Sequence, residues 1–281
     1  MSTRRAYRAG SGRIGAMAGW ARRRFTAAAA LCCAAGLLAA TGTAYALWPR
    51  AEARREASST AAEHAARPPA KRRAASAAWQ LPPGASLVAT LSAPTSYSAS
   101  PGGSPSGRLP ADNPFGTPTV LAVIGRSGAS GWLHVELPLR PNGSTGWIPA
   151  ASATLTYTTY SVAVDLEART LTVTDSGKVV LSTPVAVGAP SSPTPPGRTY
   201  LWELIRPEDQ HGAYGPYIFG LAEFSDTYAK FNGGDAQIGI HGQDEPWSIG
   251  HAASYGCVRV PNPVIVRLAR MLPLGTPVTI G

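Results

Sequence analysis

No charged residue occurs between Phe25 and Trp48, a run of 24 residues that is long enough to cross a bilayer as a helix. Seven arginines and no acidic residue precede this run. Such an excess predicts that residues 1–24 form a basic n-region in the cytoplasm and that the rest of the chain lies outside. Residues 25–48 are then either a cleaved signal peptide, as the small-x-small pattern at residues 44–46 favours, or a retained transmembrane anchor, as their length favours.

The formal charge of +9 belongs to the N-terminal part of the chain. Residues 1–24 carry +7 and residues 49–78 carry +4, which leaves −2 for residues 79–281. The part that can fold is therefore slightly acidic, and no nucleic acid partner is expected. Residues 49–78 are rich in Ala, Arg and Pro and are predicted to be a linker. The expected location is the cell envelope outside the cytoplasmic membrane, either membrane-anchored or secreted to the cell wall.

The remaining residues predict a mainly β protein in two parts. In residues 79–156, short apolar runs separated by Gly, Ser, Asn and Pro are typical of a small β-barrel or sandwich, SH3-like or immunoglobulin-like in size. Strands are predicted at residues 120–124, 132–137 and 146–149, and a flexible excursion is predicted at residues 96–118. Trp132 and Trp147 are interpreted as core residues in preference to a glycan-stacking platform shared with His134.

Residues 157–281 show alternating strand patterns and one helical pattern. A helix is predicted to begin with Asn262 as its N-cap and to continue through Met271. Residues 206–234 are long, aromatic and irregular, and they are interpreted as a lid or as structural packing. Before this segment, Arg198 and Tyr200 are the residues that could face a cleft. Further strands are predicted at residues 161–166, 171–174, 178–187, 198–204, 238–241, 258–260 and 277–280.

Cys257 is the only cysteine after the first fifty residues. An exported domain with one cysteine cannot form an internal disulfide, so the thiol is a relic, an intermolecular bridge or a reactive group. A nucleophilic thiol needs a base, and His241, sixteen residues upstream, has the side chain for that role. Arg259 would share the face of Cys257 in a strand, where its guanidinium can hold a carboxylate. The pattern favours cysteine catalysis.

A zinc site is the alternative use of these residue types. His241, His251 and Cys257 could all ligate zinc, but their spacing matches no common structural zinc pattern. No metal and no cofactor is therefore expected, and His251 is interpreted as a loop histidine or a second base.

Four short sequences carry a resemblance to a known family. They are Ile-His-Gly at residues 240–242, Ile-Gly at 249–250, Ser-x-Gly-Cys-x-Arg at 254–259 and Gly-Thr-Pro-Val-Thr-Ile at 275–280. Together they resemble the catalytic domain of the L,D-transpeptidases, the YkuD family. In that family the cysteine attacks the carbonyl of the third residue of a peptidoglycan stem tetrapeptide and expels D-alanine. The acyl group then passes to an amine of a neighbouring stem, which gives a 3-3 cross-link.

The resemblance implies a YkuD-like β-sandwich catalytic domain with one clear helix over residues 157–281. It implies that Cys257 is the nucleophile and His241 its base. Substrate-binding or oxyanion roles are implied for Arg259, Gly256, Ser254, Tyr255 and Gly242. Many members have His where this chain has Tyr255, and we interpret that difference as one of substrate contacts.

The expected partners are the donor and acceptor stem peptides of peptidoglycan, together with the membrane if residues 25–48 are retained. The resemblance also leaves other outcomes open. If water resolves the thioester, the protein is a murein L,D-carboxypeptidase, and if a protein lysine does, it attaches that protein to the wall. A cysteine hydrolase acting on murein and a catalytically weak peptidoglycan-binding protein are the remaining alternatives.

Overall fold

The computed structural model of the protein describes residues 81–127 and 131–281. The predicted n-region at residues 1–24, the signal or anchor at 25–48 and the linker at 49–78 lie outside the described residues. In the described part, no helix is long and apolar enough to cross a membrane. The expectation of a mainly β fold with one clear helix is confirmed, since these residues form seventeen strands and a single α-helix.

Seven antiparallel strands form the first sheet, in the order β3-β2-β6-β5-β4-β1-β7. Alternate residues of these strands face one side and form the core, as Leu133, Val135 and Ile148 do. The strands are β1 (Ser86–Leu91), β2 (Thr95–Ser98), β3 (Pro105–Leu109), β4 (Val120–Ser127), β5 (Trp132–Glu136), β6 (Thr145–Pro149) and β7 (Ala153–Thr158).

Two predictions for this sheet were wrong. Residues 96–118 are not simply an excursion, because they contain most of the hairpin β2–β3, which is fixed by burial of Leu109. The two tryptophans do not belong to the core either. Alternate residues of β5 and β6 point to opposite faces, and the neighbouring apolar residues point inward. Trp132, His134 and Trp147 therefore lie half-buried on the other face. There the rings of His134 and Trp147 stack with their centroids 4.6 Å apart.

The second sheet has eight strands in the order β10-β9-β8-β17-β12-β13-β14-β16. Most neighbours are antiparallel, but β17 pairs parallel with β8, and β14 pairs parallel with β16. A separate parallel pair joins β11 to β15. The strands are β8 (Tyr160–Asp165), β9 (Thr170–Asp175), β10 (Lys178–Pro184), β11 (Val187–Gly188), β12 (Gly197–Ile205), β13 (Ile218–Phe224), β14 (Gln237–His241), β15 (Ala252–Ser254), β16 (Val258–Arg259) and β17 (Pro277–Ile280).

The helix α1 (Asn262–Met271) packs on this sheet through Ile265, Leu268 and Ala269, which are buried at the i, i+3, i+4 spacing of one helix face. The prediction of Asn262 as the N-cap was wrong. Pro261 holds that position, and the Asn262 side chain instead accepts a hydrogen bond from the Gln243 N–H at 2.8 Å. This contact joins the helix to the loop that follows β14.

The aromatic segment at residues 206–234 is not one continuous lid. Strand β13 runs through it, leaving a loop at residues 206–217 and a second at residues 225–236, which we call the wall loop. Because six successive residues of β13, 219–224, are buried, the strand lacks the alternation that would have revealed it.

Arg198 and Tyr200 do not face the cleft, contrary to expectation. Tyr200 is wholly buried with Trp202 and Ala222 against Ala122 of the first sheet, and its hydroxyl donates to the Glu136 carbonyl at 3.5 Å. Arg198 lines a different cavity, shared with residues of the first sheet. Both residues therefore belong to the contact between the two sheets.

Candidate active site

The parallel pairing of β14 with β16 brings the predicted pair together. His241 lies opposite Arg259 in this register, so Gly239 lies opposite Cys257. Since alternate residues of a strand share a face, these four positions form one block on the same side of the sheet. All four line a cavity of about 530 Å³. The structure thus brings Cys257, His241 and Arg259 to one cavity, and the roles assigned to them from the sequence stay predictions.

A tight turn presents the thiol. The Ser254 hydroxyl donates to the Cys257 carbonyl at 2.5 Å and accepts from the Gly256 N–H at 3.1 Å. Gly256 has φ +117°, a conformation that a side chain would strain. Ser254 and Gly256 therefore fix the turn that holds Cys257. The Gly256 N–H is hydrogen-bonded to the Ser254 hydroxyl and is therefore not free for a ligand.

The thiol itself is partly exposed and accepts a hydrogen bond from the Gly239 N–H, with a distance of 3.4 Å between N and Sγ. Burial raises the pKa of Cys257, and this effect outweighs the Gly239 N–H and the Arg259 charge, which both lower it. The resting side chain is therefore a thiol at neutral pH.

His241 is almost fully buried, with 3% of its surface exposed. Its Nδ1 is hydrogen-bonded to the carbonyl oxygen of Gly242, and because a carbonyl can only accept, Nδ1 carries the hydrogen. Burial lowers the pKa of His241 to about 4, with a smaller lowering from Arg259. The imidazole is consequently neutral at pH 7, with the lone pair on Nε2. Gly242 acts here through its carbonyl and does not line the cavity.

The Arg259 guanidinium is paired with Glu245, with 2.9 Å between Nη1 and Oε2. The side chain of Arg259 is 15% exposed, and its Nε is buried without a hydrogen-bond partner among residues 81–127 and 131–281. The predicted carboxylate-binding group is thus present beside His241, with one of its donors already occupied by Glu245. Glu245 could not be identified from sequence patterns, because it lies in an irregular loop.

Three aromatic side chains form one side of the cavity, and we call them the aromatic wall. Tyr228 and Phe231, from the wall loop, contact Tyr255, with ring centroids 6.4 and 5.5 Å from it. Tyr255 is 60% exposed and so presents its ring to a ligand. Tyr214 packs edge-on against the His241 ring at 5.1 Å. His251, in contrast, is exposed and does not line the cavity.

Residues of the first sheet hold the wall loop. The Arg140 guanidinium donates to the backbone carbonyls of Ser225, Tyr228 and Asp235, each at 3.0 Å. Asn142 forms two hydrogen bonds with the backbone of Phe224, where that loop begins. Both residues lie in the β5–β6 connection, and no sequence signal could have linked it to the wall loop, more than eighty residues away.

Among the described residues there is no group of three His, Cys, Asp or Glu side chains placed to hold a metal ion. The chemistry available at the cavity is that of a thiol, a neutral imidazole and a guanidinium.

Residues 159–280 match the family model of the YkuD L,D-transpeptidase catalytic domain. YkuD of Bacillus subtilis is 36% identical over 122 residues, which cover 43% of this chain and 66% of that protein. YkuD of Bacillus licheniformis is 34% identical, with 43% and 65% covered. The solution structure of the catalytic domain of an L,D-transpeptidase from E. faecium is 26% identical, with 43% of this chain and 95% of that chain covered and a TM-score of 0.32.

Proposed function

Residues 159–280 belong to the YkuD family of L,D-transpeptidase catalytic domains, and we propose from this that the protein is a peptidoglycan L,D-transpeptidase. The observation that carries the proposal is the register of β14 with β16, which sets Cys257 and His241 into one cavity. The proposed donor is a stem tetrapeptide, and the proposed product is a 3-3 cross-link. We place this activity outside the cytoplasmic membrane, where residues 1–48 are expected to direct the chain.

The proposed first step starts from a neutral thiol and a neutral imidazole. Because Nδ1 of His241 is committed to the Gly242 carbonyl, Nε2 takes the proton of Cys257 as Sγ attacks the carbonyl carbon of the third stem residue. The imidazolium formed is stabilised by that carbonyl and by the charge of Asp244, both of which raise its pKa. Nε2–H then protonates the departing nitrogen, so that D-alanine leaves and a thioester remains.

The second step reverses the roles. The side-chain amine of another stem attacks the thioester carbon, His241 accepts a proton from that amine, and Cys257 departs as a thiol after regaining a proton. The amide bond formed replaces the thioester bond broken. Tyr255 and the rest of the aromatic wall bound the space in which donor and acceptor would meet.

The test is intact-protein mass spectrometry of residues 79–281 incubated with a disaccharide-tetrapeptide. A thioester adduct with loss of D-alanine is expected, and Cys257→Ala should form none. Addition of an acceptor stem should then release a joined pair of stems. Release of a trimmed stem alone would make the protein an L,D-carboxypeptidase, and binding of the stem without any adduct would support the wall-binding alternative.

A further inference from the structure

A single row of residues crosses three neighbouring strands and ends at the thiol. Glu203 of β12 lies opposite Gly220 of β13, and Gly220 lies opposite Gly239 of β14. The Gly239 N–H in turn donates to Sγ of Cys257, the residue before β16. All four line the same cavity. Since neighbouring strands lie about 4.8 Å apart, the backbones at the two ends of the row are separated by roughly 14 Å.

The two inner positions of this row are glycines, and they leave a trough between its ends. A Cβ built on Gly220 would lie 2.5 Å from Oε1 of Glu203 and 2.8 Å from Nε2 of Gln237. A Cβ built on Gly239 would lie 3.0 Å from the carbonyl oxygen of Phe219. The missing side chain of Gly220 therefore makes room for the Glu203 carboxyl group, which lies over that glycine on the side towards Cys257. Gly239 is the position of the row that remains between this carboxyl group and the thiol.

Glu203 is 1% exposed, and neither of its carboxylate oxygens has a hydrogen-bond partner in the described structure. The amide of Gln237 lies beside the carboxyl group and lowers its pKa, but the hydrogen bond of this amide goes to the Leu221 carbonyl at 2.8 Å. Burial raises the pKa of Glu203 to about 7. A buried carboxylate without a partner is costly, and a cation entering the cavity would supply the missing donor.

The other charged side chains that line this cavity already have partners. Arg259 is paired with Glu245, and Asp235 is paired with Lys230. His241 is neutral for the reasons given above. Glu203 is therefore the acidic side chain of the cavity that is left to a ligand, and a cationic group beside it would stabilise its ionised form.

We propose that Glu203 binds the side-chain ammonium of the third stem residue while the carbonyl of that residue is held at Cys257. This inference rests on the proposed function and adds a specificity-determining residue to it. The third residue's side chain would lie in the trough over Gly239, and its amine would reach the carboxylate that lies over Gly220. A neutral side chain of the same length would fill the trough but leave Glu203 unpaired, which is how a polar site rejects an analogue that lacks the matching group.

The test uses two synthetic tetrapeptide stems that differ only at the third residue, lysine in one and norleucine in the other. The rate of thioester formation on residues 79–281 is measured for each by intact mass. We expect the wild type to react at least about tenfold faster with the lysine stem. Glu203→Gln, which keeps the shape and removes the charge, should lower the lysine rate until the two stems react about equally.

Glu223→Gln is the matched control, because Glu223 is also a buried glutamate but does not line the cavity. It should keep the wild-type preference. Glu203→Asp retains the charge on a shorter side chain and should keep a reduced preference, which covers the case in which the glutamine variant does not fold. Equal rates in the wild type, or an undiminished preference in Glu203→Gln, would overturn the inference. Absence of a thioester with both stems in the wild type would overturn the proposed function and this inference with it.

Discussion

The side chain of His241 donates its Nδ1 hydrogen to the backbone carbonyl of the next residue, Gly242. The ring is thereby held as one tautomer, with Nε2 free to accept a proton from the thiol. Because the group that orients the imidazole belongs to the main chain, no side-chain substitution removes it. The consequences of this arrangement can be tested through its pH dependence.

We expect the acid limb of thioester formation to lie near pH 4. Burial lowers the pKa of His241 to about 4, so the imidazole becomes protonated, and useless as a base, only below that value. The measurement is the pH dependence of kcat/KM for acylation, which reports the free enzyme. A limb near pH 6.5, the ordinary value for histidine, would contradict the assignment of a desolvated base.

The Cys257 thiol should react slowly with iodoacetamide at neutral pH. Since burial raises the pKa of Cys257, the alkylation rate should keep increasing beyond pH 9.0, the ordinary value for a cysteine, as the thiolate forms. The rate is followed by intact mass, with a cysteine-containing peptide as the reference. A fast, pH-independent reaction between pH 5 and 8 would instead reveal a thiolate–imidazolium pair at rest.

Arg140→Ala should loosen the wall loop. The substitution removes three hydrogen bonds from a charged donor, so amide hydrogens of residues 225–236 should exchange faster, and kcat/KM should fall roughly threefold to tenfold. Hydrogen exchange with mass spectrometry measures the first effect. Arg108→Ala is the control, because Arg108 makes its hydrogen bond, of 3.5 Å, within the first sheet. Unchanged exchange in Arg140→Ala would show that the loop is ordered by its own contacts.

Stability should fall as the pH rises from about 4.5 to about 7. Burial raises the pKa of Glu203 and of Glu223 to about 7, so the folded state binds protons that the unfolded state has already released. Each group should lower the free energy of unfolding by on the order of 3 kcal/mol across this window. Urea unfolding at pH 4.5 and pH 8 tests this. His241, whose pKa burial lowers to about 4, contributes with the opposite sign in this window, so the decisive comparison is with Glu203→Gln. That variant should reduce the fall by on the order of 3 kcal/mol. A variant with the full wild-type difference would show that Glu203 is ionised when folded.

The central residues of the site could be predicted from residue types and spacing, whereas the loops and side chains around them could not. Cys257, His241 and Arg259 could be grouped because a lone thiol needs a base, and because strand alternation fixes which neighbours share a face. The strands of the second sheet that alternate clearly, such as β8 and β9, were also predictable. Alternation of apolar and polar residues is a local pattern, and it can be recognised without knowledge of the fold.

Glu203 shows why the rest could not be predicted. In sequence it follows Trp202 in a buried strand and belongs to no motif. Its position in the same cavity as Cys257 depends on how β12, β13, β14 and β16 pair with one another, which the sequence does not show. The two tryptophans of the first sheet were misplaced for a similar reason. Large aromatic residues are usually buried, but here the smaller Leu133, Val135 and Ile148 occupied the face that the sheet turns inward.

The hydrogen bonds of Arg140 to the wall loop all go to main-chain carbonyls. Hydrogen bonds to main-chain carbonyls depend on the backbone conformation of the loop and not on its side chains. A proline or an insertion would disturb them only by changing that conformation. Tyr228 and Phe231 are therefore free to be exchanged for other side chains while the loop stays in position. The first sheet can thus hold the loop in place while the side chains that contact the substrate change, by evolution or by design. The interface between the two sheets would be kept.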